Sequence, residues 1–296
     1  MFGAGKTCFS RPAPTVKIAM HTSGADEIPQ ARIYLVTSTL PSPAREASAM
    51  NKLLRSLLLA ATGLFVFASA QAADTIVIGL DDNFPPMGFR DKDNQLVGYD
   101  IDLAREAAKR MDAKVEFKPI EWSAKEAELN GKRIDALWNG LTITEERKKN
   151  IAFTEPYMVN HQIIVVINTS DLNSKAELAG KKVGVQEGST AVNAVESDPV
   201  GAKIETLRKY GDNVTALLDL AAGRLDAVVV DEVVGRYYIH SKPGQYRVLK
   251  DDFGEEEYGV GLRKGDTELL AKLQTALDAM KADGTMDRIR DKWFAQ

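Results

Sequence analysis

Residues 100–120 read DIDLAREAAKRMDAKVEFKPI, a helical pattern followed by a strand pattern. Apolar residues recur at the spacing of one helical face at four positions: Ile101, Ala104, Ala108 and Met111. The run KVEFKPI after them is typical of a strand, and the strand-like runs TIVIGL and RIDALWNG lie on either side of this stretch. Strands that alternate with helices predict a mostly parallel sheet with helices on both faces.

A second alternating series follows, with the strand-like runs KKVGVQ, LDAVVVD and YGVGLR. Two α/β lobes of about 100 residues each explain the two series better than one sheet does. Two uninterrupted runs are expected to cross between the lobes, QIIVVIN at 162–168 and EEEYGVGLR at 255–263. We therefore assign residues 73–163 and 258–296 to lobe 1 and residues 164–257 to lobe 2, with a ligand cleft between them.

The residues before 73 are not expected to belong to this fold. In residues 50–72, Lys52 and Arg55 precede an apolar run of about a dozen residues and the small-x-small sequence AQA, the pattern of a secretory signal peptide. A signal anchor is the alternative, but a bilayer span needs about 20 apolar residues and this run is shorter. Because a signal peptide begins near the initiator, residues 1–49 are expected to be a spurious or disordered extension.

The bulk composition indicates a soluble globular protein. The chain has 296 residues, of which 44% are hydrophobic and 27% charged, with a net charge of −4. This charge gives no indication of a nucleic-acid partner. The single cysteine, Cys8, precedes the predicted signal, so we expect no disulfide, no lipid anchor and no thiol chemistry after export.

The stretch NGLTITEERKK at 139–149 contains a candidate anion-binding group. Thr144 is a good helix N-cap, which places Arg147 in the first helical turn, where the helix dipole disfavours a cation. Arg147 either pairs with neighbouring glutamates or binds a carboxylate in the bidentate geometry that lysine cannot match. Three strand-end residues offer further donors at the same place and favour the second interpretation: Asn139, Gly140 and Thr142.

Further candidates follow strands of the second series. In QEGST at 186–190 the chain leaves a strand and enters a helix capped by Ser189 or Thr190, and the free amides of such a turn bind anions. Asp231 follows the strand LDAVVVD, where it can act as a helix N-cap, as the partner of a ligand ammonium, or as both, since its two oxygens accept separately.

Aromatic and acidic residues follow strands of the first series. In LDDNFPPMGF at 80–89 two adjacent aspartates repel each other, unless one faces solvent and the other meets a donor. Core packing is the default for Phe84 and Trp122, but the polar context EWSAKE favours an exposed stacking face for Trp122. An aromatic face over a cation contributes roughly 0.5–2 kcal/mol.

Signals for catalysis are weak. His161 and His240 are the only histidines after the predicted signal, and they lack the spacing of metal ligands. No G-x-S-x-G nucleophile motif occurs. We predict no catalytic residue, no metal site and no cofactor.

The chain resembles the periplasmic amino-acid-binding proteins of ABC importers, the polar amino-acid type known as family 3. The resemblance covers essentially all of the chain after the signal. It is carried in order by VGYDIDLA, RIDALWNGLTITEERKKNIAFTEPY, GKKVGVQEGST, GRLDAVVVD, EYGVGLRKGD and DGTMDRIRDKWF. It implies the type II periplasmic-binding fold, two Rossmann-like lobes joined by two crossing strands that close on one free L-amino acid.

The resemblance also implies roles for the residues above. Arg147 would bind the ligand α-carboxylate together with the amides of Thr142 and Thr190. Asp231 would bind the α-ammonium, assisted by the Gly140 carbonyl.

At the other end of the ligand, the resemblance places Phe84 and Trp122 on either side of the ligand side chain and Asp81 at its tip. The pair Asn139-Gly140 stands where many relatives have two small residues, and Gln186 where others carry lysine or an apolar residue. With no cation at this end, an acidic ligand is disfavoured. We expect glutamine, arginine, lysine, histidine or a cystine-like compound.

The expected partner is a membrane permease of an ABC transporter, met in the periplasm by a monomeric binding protein. One alternative is a cyclohexadienyl or arogenate dehydratase-like enzyme on the same scaffold, which would need a carboxylic general acid; Glu187 is the unassigned candidate. The other is a soluble chemosensory protein that presents its ligand to a receptor.

Overall fold

The computed structural model describes residues 74–295. Strands in this part of the chain are β1 (Thr75–Leu80), β2 (Asn83–Phe84), β3 (Gly88–Arg90), β4 (Leu96–Val97), β5 (Lys114–Pro119), β6 (Ala136–Leu137), β7 (Ile151–Phe153), β8 (Met158–Ile167), β9 (Lys182–Gln186), β10 (Thr206–Tyr210), β11 (Ala227–Asp231), β12 (Tyr246–Tyr258) and β13 (Gly261–Arg263). The helices are α1 (Tyr99–Arg110), α2 (Lys125–Asn130), α3 (Glu145–Lys148), α4 (Thr190–Ser197), α5 (Asn213–Ala221), α6 (Glu232–Ser241), α7 (Thr267–Ala282) and α8 (Thr285–Phe294).

The first lobe is built on a five-stranded sheet in the order β5-β1-β6-β13-β7. Strand β1 runs parallel to β5 and β6, whereas β13 runs antiparallel to β6 and β7. The helix predicted from residues 100–111 forms as α1 and buries Ile101, Leu103 and Ala104. Its apolar spacing therefore identified the face that packs in the core.

The second lobe is built on a five-stranded sheet in the order β10-β9-β11-β8-β12. Strand β9 is parallel to β10 and β11, and the long strands β8 and β12 are antiparallel to their neighbours. The α/β fold with two lobes joined by two crossing segments is confirmed, but both sheets are mixed rather than mostly parallel, because the crossing segments return antiparallel to their neighbours.

The chain changes sheets between β7 and β8 and again between β12 and β13. The predicted lobe boundaries, 163/164 and 257/258, lie within β8 and at the end of β12. This division stays a prediction. The predicted extension 1–49 and signal peptide 50–72 lie outside the described residues. Within residues 74–295, no helix is both long and apolar enough to cross a membrane.

The polar loops that follow β1, β6, β9 and β11 are the segments that position the candidate site. These loops come from the carboxyl ends of strands, two in each sheet, where open α/β sheets bind ligands.

Candidate ligand-binding site

Residues from both lobes line one small cavity. Its lining contains ten of the eleven residues predicted from the sequence: Asp81, Phe84, Trp122, Asn139, Gly140, Arg147, Gln186, Ser189, Thr190 and Asp231. The eleventh, Thr142, lies beside the cavity and contacts Arg147. The cavity is nearly closed and has room for about one water molecule. A free amino acid can enter only when the lobes separate.

Arg147 is buried where the two lobes meet. Its backbone N–H donates to the Thr144 hydroxyl at 3.1 Å, which is the predicted N-cap. Its guanidinium donates to the Thr142 carbonyl oxygen at 2.8 Å and, across the cleft, to the Gly188 carbonyl oxygen at 3.2 Å. Burial lowers the pKa of Arg147, and the nearby carboxylates of Glu256, Glu126 and Asp231 oppose this effect.

The neighbouring glutamates do not bind Arg147. Glu145 pairs with Lys148 and Glu146 pairs with Lys149 on the exposed side of α3. The alternative interpretation, in which Arg147 pairs with neighbouring glutamates, is therefore wrong. A guanidinium that donates only to carbonyl oxygens retains the charge to bind an anion.

Asp231 is buried at the end of β11. It occupies the N-cap position of α6, but its side chain makes no capping hydrogen bond. Its Oδ1 atom instead accepts from the Tyr258 hydroxyl at 2.6 Å, from Asn160 Nδ2 at 2.9 Å and from Gln162 Nε2 at 3.0 Å. Burial, and next the carboxylate of Glu256, raise the pKa of Asp231 well above its usual range.

Glu256, on the crossing strand β12, belongs to the same network and was missed in the sequence. Its Oε1 atom accepts from Thr142 Oγ1 at 2.9 Å, and its Oε2 atom accepts from Thr190 Oγ1 at 2.7 Å. We call the part of the site formed by Arg147, Asp231 and Glu256 the hinge end, because β8 and β12 support it.

The opposite part, the loop end, is formed by Asp81, Gln186 and Asn213. Gln186 Nε2 donates across the cleft to Asp81 Oδ2 at 2.7 Å, and Gln186 Oε1 accepts from Asn213 Nδ2 at 2.9 Å. Burial raises the pKa of Asp81 to about 6. Its neighbour Asp82 is half-exposed and pairs with Arg90 at 2.6 Å, so the two adjacent aspartates face different surroundings.

Both predicted aromatic residues line the cavity, but Trp122 is not exposed as expected. Only 6% of Trp122 is accessible, because it packs against Leu129 and Ile134 in the core of the first lobe. Phe84 is buried as well. Lys125 Nζ lies 5.1 Å from the centre of the Trp122 ring.

Lys125 is a second buried cation that the sequence did not indicate. Its Nζ atom donates to the Gly188 carbonyl oxygen at 2.7 Å, so it also joins the two lobes. Burial, and next the charge of Arg147, lower the pKa of Lys125 to about 7.

Two glycines let the loops approach closely. Gly140 has φ of +57°, and a side chain there would lie 2.9 Å from the Phe84 ring. Its N–H donates at 2.8 Å to Asp100, a buried residue at the start of α1. Gly188 has φ of +75°, and a side chain there would lie 2.8 Å from the Ser123 backbone. Both positions therefore require glycine.

The remaining predicted residues support these loops. Asn139 Oδ1 accepts from the Asp81 N–H at 3.1 Å, and the Ser189 hydroxyl donates to the Gln186 carbonyl at 2.8 Å. Thr190 is the first residue of α4, so its N–H has no partner within that helix.

Other groups weighed for chemistry lie elsewhere. Glu187 is exposed and lines a second, open cavity beside the first one, which Arg147 and Glu256 also line. His161 lies between Glu232 and Glu255, with nitrogen–oxygen distances of 3.3 and 3.6 Å. In the part of the chain that the structure describes, no group of three or more His, Cys, Asp or Glu residues is placed to hold a metal ion.

Two curated relatives match most of the chain. The L-cystine-binding protein TcyJ of Escherichia coli (strain K12) is 32% identical over 222 residues, which cover 74% of this chain and 82% of that protein. The L-arginine-binding protein of Pseudomonas aeruginosa is 34% identical over 254 residues, which cover 82% of this chain and 95% of that protein.

Solved structures agree with this similarity. An ancestral arginine-binding protein bound to glutamine matches with a TM-score of 0.71 at 42% identity, covering 75% of this chain and 98% of the other. An ancestral amino-acid-binding protein described as a precursor of cyclohexadienyl dehydratase matches with a TM-score of 0.69 at 38% identity, covering 74% and 95%. The model of one family matches residues 76–296. The chain belongs to the bacterial extracellular solute-binding proteins, family 3.

Proposed function

We propose that this protein binds one free polar or basic L-amino acid between its lobes and delivers it to the permease of an ABC transporter. One observation carries the proposal: Arg147 from the first lobe and Asp231 from the second line the same cavity. Every free amino acid has one carboxylate and one ammonium group on adjacent atoms. A cation and an acid on opposite lobes bind both groups only when the cleft is closed.

Closure then follows from differential affinity. A ligand that contacts both lobes binds the closed form more tightly, which shifts the population towards it, as in hinge closure by periplasmic binding proteins. Moving the population from 1:99 to 99:1 requires about 5.5 kcal/mol. A few hydrogen bonds to charged groups, at about 1.5–3 kcal/mol each, supply this free energy.

The loop end accounts for the ligand class. Asp81 is its acid, and Gln186 and Asn213 add neutral amides. A ligand side chain with N–H donors replaces the Gln186 amide as the partner of Asp81, and a cationic one also neutralises its charge. A ligand carboxylate would meet an acid there, so glutamate and aspartate are disfavoured.

The family is extracellular, which supports export to the periplasm through the signal predicted at residues 50–72. The relatives named above are binding proteins of amino acids rather than enzymes, which supports a binding role. The general acid that a dehydratase would need gains no support, since Glu187 is exposed outside the cavity. We infer a monomer that meets its permease as a separate membrane protein.

A thermal-shift screen with the twenty amino acids, followed by isothermal titration of the positive ones, tests the proposal. We expect polar or basic amino acids to bind and glutamate to bind far more weakly. Arg147→Ala should abolish all binding, whereas Arg105→Ala, which removes an exposed arginine on α1, should have no effect. Tightest binding of glutamate, or normal binding by Arg147→Ala, would contradict the proposal.

A further inference from the structure

Four polar residues at the hinge end lie on one face of three neighbouring strands of the second sheet. In the order β11-β8-β12, Asp231 pairs with Gln162 and Glu256 pairs with Asn160. Residues two apart on β8 point to the same face, and so do paired residues on adjacent strands. The strand register, rather than a flexible loop, therefore brings Glu256 towards Asp231.

The two carboxylates share their donors. Asn160 Nδ2 lies 2.9 Å from Asp231 Oδ1 and 2.8 Å from Glu256 Oε1. Gln162 Nε2 lies 3.0 Å and 2.9 Å from the same two atoms. Two acids that use the same two amides are necessarily close neighbours.

Within residues 74–295, every hydrogen bond to this pair comes from a neutral group. The donors are the amides of Asn160 and Gln162 and the hydroxyls of Thr142, Thr190 and Tyr258. Among the described ion pairs, neither Asp231 nor Glu256 has a lysine or arginine partner within 4.0 Å. The buried oxygens Asn160 Oδ1 and Gln162 Oε1 also lack a donor within the described residues.

Two neighbouring carboxylates in a partly buried site cannot both remain charged without a counter-charge. Either a proton or a cation must lie between them. The ammonium group expected at Asp231 is such a cation. It has three N–H donors, and one carboxylate does not use all of them.

We propose that Glu256 is a second acid of the ligand-binding site, which binds the ligand ammonium together with Asp231, and that the ammonium displaces a proton held by the pair. The inference rests on the proposed function and deepens it by adding a residue and a proton to the binding step. The proton leaves the Asp231–Glu256 pair for solvent, and the ammonium takes its place without any change in covalent bonding.

Other titratable and charged groups face this pair or its nearest cation. Arg147 from α3 and the Tyr258 hydroxyl from β12 both favour the ionised form of Asp231. Lys125 and Glu126 from α2 face Arg147. Of these, Lys125 has a pKa lowered to about 7 by burial, so it can exchange a proton near neutral pH and has to be separated from the pair by experiment.

The sign of the pH dependence follows from the proton. Over the pH range in which the pair holds a proton, binding must expel it, so the affinity for an amino acid rises with pH. Above it, no proton remains to be expelled and the affinity levels off. Without Glu256, Asp231 ionises more readily although it stays buried, so both the proton release and the slope decrease.

Isothermal titration of the wild type and of Glu256→Gln tests this inference. The probe is whichever of L-arginine, L-lysine, L-glutamine, L-histidine and L-cystine binds most tightly, titrated between about pH 6 and pH 8.5 in phosphate and in Tris. These buffers take up protons with different heats, so a difference in observed enthalpy measures proton release. We expect less proton release from Glu256→Gln than from the wild type, and the variant should also bind about tenfold or more weakly at pH 8.5.

Three variants serve as controls. Glu257→Gln makes the same change at the next, exposed residue and should behave as the wild type. Glu256→Asp keeps the charge and should keep the proton release with weaker binding. Lys125→Met should keep the release. Thermal unfolding of each variant checks that it is folded.

The outcomes separate the two proposals. Suppose that the wild type binds an amino acid, and that Glu256→Gln either matches it in affinity and proton release or binds more tightly. The role of Glu256 is then refuted, and the proposed function stands. Release that is undiminished in Glu256→Gln but disappears in Lys125→Met refutes that role as well. If the wild type binds none of the five probes, the proposed function fails and this inference fails with it.

Discussion

The hinge end and the loop end of the cleft are built differently. At the hinge end, Asp231 and Glu256 lie on two strands that both pair with β8, so their positions follow from the register of a sheet. At the loop end, Asp81 follows β1 and Gln186 ends β9, so these residues belong to different lobes and meet only across the cleft. A rigid end suits groups that every amino acid shares, and an adjustable end suits the side chain, in which amino acids differ. Changes at the hinge end should therefore affect all ligands alike, and changes at the loop end should alter the choice among them.

Among changes to the acids of the two ends, the largest effect is expected from Asp231→Asn. Asparagine keeps the size and an acceptor but removes the charge opposite the ammonium, so the affinity for every amino acid should fall by about 1.5–3 kcal/mol. Titration calorimetry with two ligands of different side-chain charge measures this. Asp171→Asn, an exposed aspartate of the same lobe, is the control. A loss confined to basic ligands would show that the hinge end is not general.

A smaller and selective effect is expected from Asp81→Asn. Basic amino acids should lose about 1–2 kcal/mol of binding free energy, the difference between a hydrogen bond to a charged and to a neutral acceptor. Glutamine should be affected little. Competition between arginine and glutamine, measured for the wild type and the variant, gives the ratio of the two affinities directly. Asp82→Asn is the control on the neighbouring acid. An equal loss for both ligands would remove the distinction between the two ends.

The smallest effect on binding is expected from Asp100→Asn, because Asp100 does not line the cavity. Burial raises the pKa of Asp100 to about 7, from an ordinary value of 3.8. The folded protein therefore holds a proton that the unfolded chain has released, and this contribution to stability is lost as the pH rises from about 4 to about 7. Asparagine can still accept from the Gly140 N–H. We expect the thermal midpoint of the variant, measured by calorimetry, to fall less over this pH range than that of the wild type. An equal fall would exclude Asp100 as the group that holds the proton.

Local patterns identified much of the fold and of the hinge end. The apolar spacing of α1 predicted its buried face, and the Thr144 cap placed Arg147 in the first turn of α3. Asp231 was expected because it follows a buried strand. Each of these features depends on residues close in sequence, so a single chain suffices to recognise them.

Other residues gave no local signal. Glu256 is one of three consecutive glutamates on an exposed-looking strand, and Lys125 resembles any lysine in a short polar helix. The polar context of Trp122 predicted exposure, but its neighbours in space are the apolar residues Leu129 and Ile134. Alternation along β12 does not indicate which glutamate points inwards, because glutamates occupy three positions in a row.

The sequence by itself determined the alternation of strands and helices, the two lobes, the position of Arg147 in a first helical turn and that of Asp231 at a strand end, because periodicity and capping act over a few residues. Only the tertiary structure decided which glutamate of β12 faces the cleft and that Gln186 meets Asp81, since these contacts join residues about a hundred positions apart. Such contacts depend on strand register and on the approach of two lobes, and no pattern within a short segment encodes either.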